Sequence, residues 1–164
     1  MTVKVVVLMG VSGSGKTTIG RGFAEATGWA FEEGDRWHPP ANVEKMRSGQ
    51  PLGDADRWPW LDALAKAIGE WIDTDRPTIL ACSALRQAYR QRLSSGRPEV
   101  AFAYLKGTQD LVGSRVASRR HEYMPSTLLP SQFAALEEPA DAIVLDIGDP
   151  PAVLTSRLRD VLGV

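Results

Sequence analysis

Eight residues near the amino terminus constrain this chain more than any other feature: Gly10-Val-Ser-Gly-Ser-Gly-Lys16-Thr17. They satisfy the pattern G-x-x-x-x-G-K-[ST] in full. They also stand between an apolar, β-branched run (residues 3–9) and an amphipathic pattern (residues 16–27). That context matters because the motif works as a strand–loop–helix unit. Its glycines let successive backbone N–H groups turn inward around phosphate oxygens, and the helix starting near Lys16 adds the positive end of its dipole. Gly10, Ser12, Gly13, Ser14, Gly15, Lys16, Thr17 and Thr18 are therefore the expected nucleotide contacts. Lys16 is expected to reach the β- and γ-phosphates, and the Thr17 hydroxyl to coordinate Mg²⁺. The motif predicts ATP–Mg²⁺ binding but leaves the acceptor of any phosphate open.

The rest of the chain repeats the strand–helix alternation. Strands are expected over residues 3–9, 30–33, 78–82, 100–106 and 142–146, and helices over 16–27, 61–73, 85–95, 109–119 and 152–162. Continuous apolar runs suit strands buried on both faces, as in a parallel sheet. Alternation of this kind predicts one three-layer α/β domain with right-handed crossovers, and 164 residues fit one domain. Two segments interrupt it, residues 34–60 and 119–130. Both read as excursions from the carboxyl edge of the sheet, where open α/β folds bind ligands.

A net charge of −1, from 19 basic and 20 acidic residues, argues against nucleic acid or an anionic membrane as partner. An anionic ligand must then be held by a local cluster of donors. The single cysteine, Cys82, precludes an intrachain disulfide and reads as an inert core thiol. The apolar run before the glycine-rich loop is too short for a signal peptide, and no stretch approaches a bilayer-spanning length. The expectation is a cytoplasmic protein.

The acceptor side is less explicit. Glu33-Gly-Asp35-Arg-Trp-His38 follows the second strand. A carboxylate at a strand end beside a phosphate loop can take a proton from an attacking hydroxyl or hold the water shell of magnesium. Asp35 is the expected base and acceptor clamp, and Glu33 the residue nearer the metal. The competing reading of Asp35 is a turn or helix-cap residue. His38 also reads as a packing or capping histidine. Arg57 stands just before Trp58-Pro-Trp60, read as a proline-fixed helix start. A rigid guanidinium there can hold a carboxylate through two parallel hydrogen bonds, its alternative being an exposed surface charge. Trp58 and Trp60 are expected to pack around that helix rather than stack on a ligand, and Trp29 and Trp71 to be core or interface residues.

With these blocks in view, the chain resembles the gluconokinase family of P-loop small-molecule kinases, relatives of shikimate and adenylate kinases. The resemblance runs through nearly the whole chain. Beyond the phosphate loop it rests on Glu33-Gly-Asp35 with His38-Pro39, Asn42 with Glu44-Lys-Met46, and Asp56-Arg57 with Pro59-Trp-Leu61. Further on it rests on Cys82-Ser-Ala-Leu85, Tyr89-Arg90, Tyr104-Leu-Lys-Gly107, Arg119 with His121, Ser131-Gln-Phe133 and Leu136-Glu-Glu-Pro139. It implies ATP-dependent phosphorylation of D-gluconate at its terminal hydroxyl, a five-stranded parallel sheet, a mobile lid and a homodimer. It also implies that Asp35, His38, Arg57, Ser83 and Arg90 line the acceptor pocket and that His121 and Gln132 close it. Arg90 has the alternative of an exposed helix charge. Two departures stand out: Glu122 follows His121 where many members have an aromatic, and Cys82-Ser83 carries no acidic strand end for a metal.

Arg115, Arg119 and Arg120 lie towards the end of a predicted helix that leads into the second excursion. Closure of such a lid would bring guanidiniums onto the phosphates, where one arginine contributes about 10³–10⁵ in rate, and would exclude water. Arg119 is the expected catalytic arginine, Arg120 a phosphate contact, and Arg115 a structural or adenine-side residue. The alternative is favourable placement of cations at a helix carboxyl end. The turn Gly148-Asp-Pro-Pro151 is a candidate adenine edge. Two other functions compete with gluconate phosphorylation. One is a kinase of the same fold for shikimate or a nucleoside monophosphate; the other is a non-catalytic nucleotide-binding regulator.

Overall fold

A computed structural model describes residues 2–117 and 129–164, apart from the side chain of Ala117. Its centre is β1 (Val5–Met9), whose five side chains are all fully buried. β1 pairs in parallel with β3 (Thr78–Ala81) on one side and β4 (Val100–Lys106) on the other, Val5 standing opposite both Thr78 and Val100. β2 (Ala30–Glu33) and β5 (Ile143–Asp146) form the edges, giving the order β2-β3-β1-β4-β5 among the described residues. The expected five-stranded parallel sheet is present, with each strand within two residues of its predicted bounds.

Side-chain alternation along β1 sorts the two helical layers. Val6 and Leu8 share a core with Ile19 and Phe23 of α1 (Lys16–Thr27) and with Leu154 and Leu158 of α7 (Pro151–Leu162). Val5, Val7 and Met9 point the other way. They meet Leu61, Leu64 and Ile68 of α3 (Asp54–Asp73) and Tyr89 and Leu93 of α4 (Gln87–Ser94). Cys82, just after β3, is 1% exposed in this second core, and burial pushes its thiol up to about 12, so it stays an unreactive packing group.

The chain steps from β1 outward to β2, then later from β3 past β1 to β4. The order thus reverses beside β1 and β3, whose carboxyl ends border the crevice where such folds bind ligands. The phosphate loop and residues 34–53 both leave the sheet there. The second of these, within the segment read as an excursion from the sheet, has regular structure of its own. It holds a 3₁₀ turn (Gly34–Trp37) and α2 (Pro40–Arg47), which begins on Pro40, where a missing N–H costs nothing.

The proline-fixed helix start at Pro59 is corrected. α3 begins at Asp54, with Pro59 inside it. The Asp56 carboxylate accepts a hydrogen bond from the Gly53 N–H at 2.9 Å, and Asp54 and Asp56 both favour the positive helix end. Against that, Pro59 costs one backbone bond near a terminus. Arg57 therefore sits in the first turn of the helix rather than before it. The helix expected over 109–119 is described as α5 (Gln109–Ala117), and α6 (Leu129–Ala135) was not anticipated.

Gly34 fixes how the 3₁₀ turn leaves β2. A Cβ there would lie 2.6 Å from the Ala81 carbonyl oxygen, a backbone atom of the neighbouring strand that cannot give way. Gly34→Ala should therefore force β2 from β3. Overpacking of this kind costs about 1–3 kcal/mol, which should lower Tm by several degrees in a thermal melt. An unchanged Tm would show that the strand end tolerates the methyl group.

Candidate active site

The phosphate loop joins β1 to α1 and has the geometry of an anion cradle. Gly13 and Gly15 take φ of 82° and 103°, conformations that suit glycine. A Cβ on Gly10 would lie 2.7 Å from the Ser14 hydroxyl and 3.2 Å from the Leu105 carbonyl oxygen. The Ser14 hydroxyl is buried and has no hydrogen-bond partner among the described residues, a polar group facing a loop built for oxygen ligands. Lys16 Nζ donates to the carbonyls of Gly10 (2.9 Å) and Val11 (3.0 Å), which holds it across the loop. Burial lowers the Lys16 pKa, while the nearby Asp35, Cys82 and Glu33 act to raise it. The Thr17 hydroxyl donates to Glu33 Oε2 at 2.7 Å, so the two residues expected near a metal already touch.

Beside the loop, one small cavity of about 50 Å³ is lined by Ser12, Lys16, Asp35, His38, Arg57, Ser83 and Gln132, with Met46, Leu52 and Trp60 as its apolar walls. Residues separated by as many as 120 positions meet here. A larger cavity of about 350 Å³ opens next to it and shares Met46, Leu52, Arg57 and Gln132, adding Gln50, Asp54, Arg86, Tyr89 and Ser131. Gln132, on α6, accepts a hydrogen bond from the Ser12 N–H at 2.6 Å and so ties the acceptor cavity to the phosphate loop.

Arg57 is immobilised. Its Nη1 donates to the Leu52 carbonyl (2.6 Å) and to the Tyr89 hydroxyl (3.3 Å), and its guanidinium lies 5.4 Å from the Tyr89 ring centroid. Tyr89 in turn donates to Asp54 at the start of α3. A fork held in this way presents its remaining N–H groups without further loss of side-chain freedom. Trp60 is 2% exposed, donates its indole N–H to the Gly34 carbonyl (2.9 Å) and stacks on His38, so it packs as expected.

Burial, aided by the Arg57 charge, lowers the His38 pKa to about 4. The folded state thus resists a proton that the unfolded chain takes up near pH 6.5. This stability contribution is complete above about pH 6.5 and is lost as pH falls towards 4, by roughly 3 kcal/mol if the whole difference is expressed. Thermal melts between pH 7 and 4 should show Tm falling through that window, with the fall reduced in His38→Leu. Equal slopes in both proteins would mean that His38 does not carry the effect.

A third cavity, of about 240 Å³, lies on the far side of the loop between Gly13, Gly15, Thr18, Arg115, Ile147, Asp149 and Pro151. Arg115 Nη2 donates to the Ile147 carbonyl at 2.6 Å, and the 148–151 turn borders the same space. This is the side where the sequence suggested a nucleotide base.

Arg90 does not join the acceptor cavity. It is 4% exposed, and its guanidinium donates to the Ala84 carbonyl (2.7 Å), Gln87 Oε1 (3.2 Å) and the Glu137 carbonyl (2.8 Å). These bonds tie α4 to the segment before β5, so Arg90 is neither an acceptor-cavity residue nor an exposed charge. Arg119, Arg120 and His121, with Glu122 and most of the 119–130 excursion, lie outside the described residues. Sequence reasoning passed over Arg86, Gln50 and Asp54. Their only sequence signal was proximity to Tyr89 and Arg57, which becomes meaningful once α3 and α4 pack together.

No protein-family model matches the chain. Individual relatives do. A gluconokinase of Gluconobacter oxydans is 45% identical over 138 residues, covering 84% of this chain and 78% of its own length. The thermoresistant gluconokinase of Escherichia coli is 43% identical over 150 residues, covering 89% and 86%. Among solved structures, a gluconokinase from Sinorhizobium meliloti superposes with a TM-score of 0.81 at 39% identity, covering 99% of this chain and 98% of its own. A shikimate kinase from Bacteroides thetaiotaomicron, at 14% identity and a TM-score of 0.66, shares the fold. Similarity of this extent, spread over both the phosphate loop and the acceptor side, makes the chain an enzyme of the P-loop kinase fold that belongs to the gluconokinase family.

Proposed function

We propose that the chain transfers the γ-phosphate of ATP to the terminal hydroxyl of D-gluconate, giving 6-phospho-D-gluconate. The observation that carries this reading is the cavity where Asp35, His38 and the fixed Arg57 meet Ser12 and Lys16 of the phosphate loop. ATP–Mg²⁺ fits the loop: the Gly10 position has no room for a side chain, the Ser14 hydroxyl lacks a partner, and the first N–H groups of α1 have no intrahelical acceptors. When bound, it supplies the electrophilic phosphoryl group. Lys16 and the loop N–H groups would hold the phosphates, and Arg115 with the 148–151 turn would border the base. Thr17, with Glu33 behind it, would face the metal. Among the described residues no group of three or more His, Cys, Asp or Glu could hold a cation, so this reading assigns the remaining coordination to phosphate oxygens and water.

On the acceptor side, Asp35 receives the proton of the attacking hydroxyl. Arg57 grips the substrate carboxylate, and Ser83 and Gln132 bound the cavity. Arg119 and Arg120 belong to phosphate neutralisation by their place at the end of the helix that leads into the lid, and His121 to closure on the strength of the family resemblance. The larger cavity beside Arg57 gives room for the polyol chain, and Arg86 is a second cation along it. Arg86→Ala should raise KM for gluconate several-fold and leave KM for ATP unchanged in steady-state assays; an unaltered gluconate KM would exclude Arg86 from the pocket.

No described helix is long and apolar enough to cross a membrane. The reading further takes the enzyme as a cytoplasmic homodimer, which sedimentation velocity checks. The decisive assay is ADP release with ATP–Mg²⁺ against D-gluconate, shikimate, AMP, glycerate and glucose. Turnover with gluconate alone supports the proposal; turnover with another acceptor, or none, overturns it.

A further inference from the structure

The ring of His38 is held in every respect that decides what it offers a substrate. Trp60 stacks on it with centroids 4.0 Å apart and planes 19° from parallel, and Trp60 is itself anchored on the Gly34 carbonyl. Rotation about the ring's own axis is fixed separately. The Asn42 side-chain amide, on α2 and 3% exposed, sits between His38 Nδ1 at 3.1 Å and the Asp56 backbone carbonyl at 2.8 Å. A carbonyl oxygen can only accept, so the Asn42 atom facing it is the NH₂ group. The second hydrogen of that group then points at Nδ1, which must accept it and cannot itself carry a proton.

From this network we infer that Asn42 is a positioning residue, locking His38 as its neutral Nε2–H tautomer so that the ring presents one hydrogen-bond donor to the acceptor cavity. Nε2 faces Asp35 Oδ1 across 4.0 Å. A single oxygen fits between them within about 2.8 Å of each. An acceptor hydroxyl seated there donates its proton to Asp35 and receives a hydrogen bond from His38, which orients its remaining lone pair. The two groups divide the work: a carboxylate that only accepts and an imidazole that only donates. Protonation of Nδ1 would break the Asn42 bond and place a buried cation beside the half-buried Arg57, consistent with a ring that stays neutral. The groups facing the imidazole are Asp35 from the 3₁₀ turn, Asn42 from α2, and Arg57 and Trp60 from α3.

This inference rests on the acceptor reading given above for its consequence, but not for its geometry. The chain has two histidines, so long-range ¹H–¹⁵N spectra of the whole protein resolve them, and His38→Leu assigns the signals. At pH 7 His38 should show the Nε2–H pattern and should not titrate above about pH 5. An Nδ1–H pattern, or titration near pH 6.5, overturns the inference whatever the acceptor is. Asn42→Asp puts a carboxylate, an acceptor only, opposite Nδ1. It should move His38 to the Nδ1–H or doubly protonated form and lower kcat/KM for gluconate at least tenfold, with KM for ATP within twofold. A switched tautomer with unchanged gluconate kinetics overturns the positioning role. An intact wild-type tautomer in Asn42→Asp overturns the lock itself, whereas the Nε2–H form in a wild-type protein that does not turn over gluconate counts against the gluconate reading alone.

Discussion

Asp35→Asn should lower kcat for gluconate by about 10²–10⁴-fold, the range that positioned proton transfer contributes. The substitution keeps the shape of the side chain and removes its negative charge and, with it, its capacity to take a proton. Asp35 leaves β2 through a turn that Gly34 fits closely against Ala81, and it lies in the same cavity as Lys16 and His38. Because its charge is among those that favour a protonated Lys16, a small change in ATP affinity is expected as well. Nucleotide binding followed by fluorescence, with turnover followed by ADP release, separates the two effects. ATP affinity within about threefold and a collapsed kcat fit the role of base; kcat retained within threefold would remove Asp35 from it.

Arg57→Ala should raise KM for gluconate by about 30-fold while KM for ATP stays unchanged. Leaving a carboxylate without its charged partner costs about 2–5 kcal/mol when the pair is buried. Arg57 is half-buried, so the lower end applies, and 2 kcal/mol is about 30-fold. The Leu52 carbonyl and Tyr89 hold the guanidinium before any substrate arrives, so the contact carries little ordering cost. Arg57→Lys tests the geometry separately from the charge. A lysine cannot bond Leu52 and a carboxylate with one planar fork, and it should recover less than a tenth of the lost affinity. The comparison of gluconate with the uncharged C6 polyol is the sharper readout. The Ala variant should lose most of the preference for the acid, and a preserved preference would assign the carboxylate to another cation, Arg86 being the first to try.

Much of the fold was legible because it is written locally. Apolar β-branched runs of four to seven residues, each followed by helical periodicity, can form little other than a covered parallel sheet, and the phosphate loop marks which strand lies at its centre. The errors came where local rules competed. Pro59 looked like a helix boundary, yet capping of Gly53 by Asp56 and two acidic residues in the first turn carry α3 through it. The stretch after His38 read only as an excursion from the sheet, yet a proline at the first position of a helix is compatible with α2. Arg90 looked like a ligand contact because of its neighbours in the chain. A buried guanidinium needs acceptors, and the Ala84 and Glu137 carbonyls supply them away from the cavity.

By itself the sequence determined the chemistry of the loop, the α/β class and the candidates Asp35 and Arg57. These depend on residue type, spacing and periodicity within some twenty positions of one another. Tertiary structure alone decided which polar groups converge and in which state. Gln132 reaches Ser12 across 120 positions, Tyr89 fixes Arg57 across 32, and the Asp56 carbonyl, 14 positions from Asn42, orients the amide that settles the proton of His38. Hydrogen bonds act over about 3 Å, and only the packed chain brings such distant partners within that range.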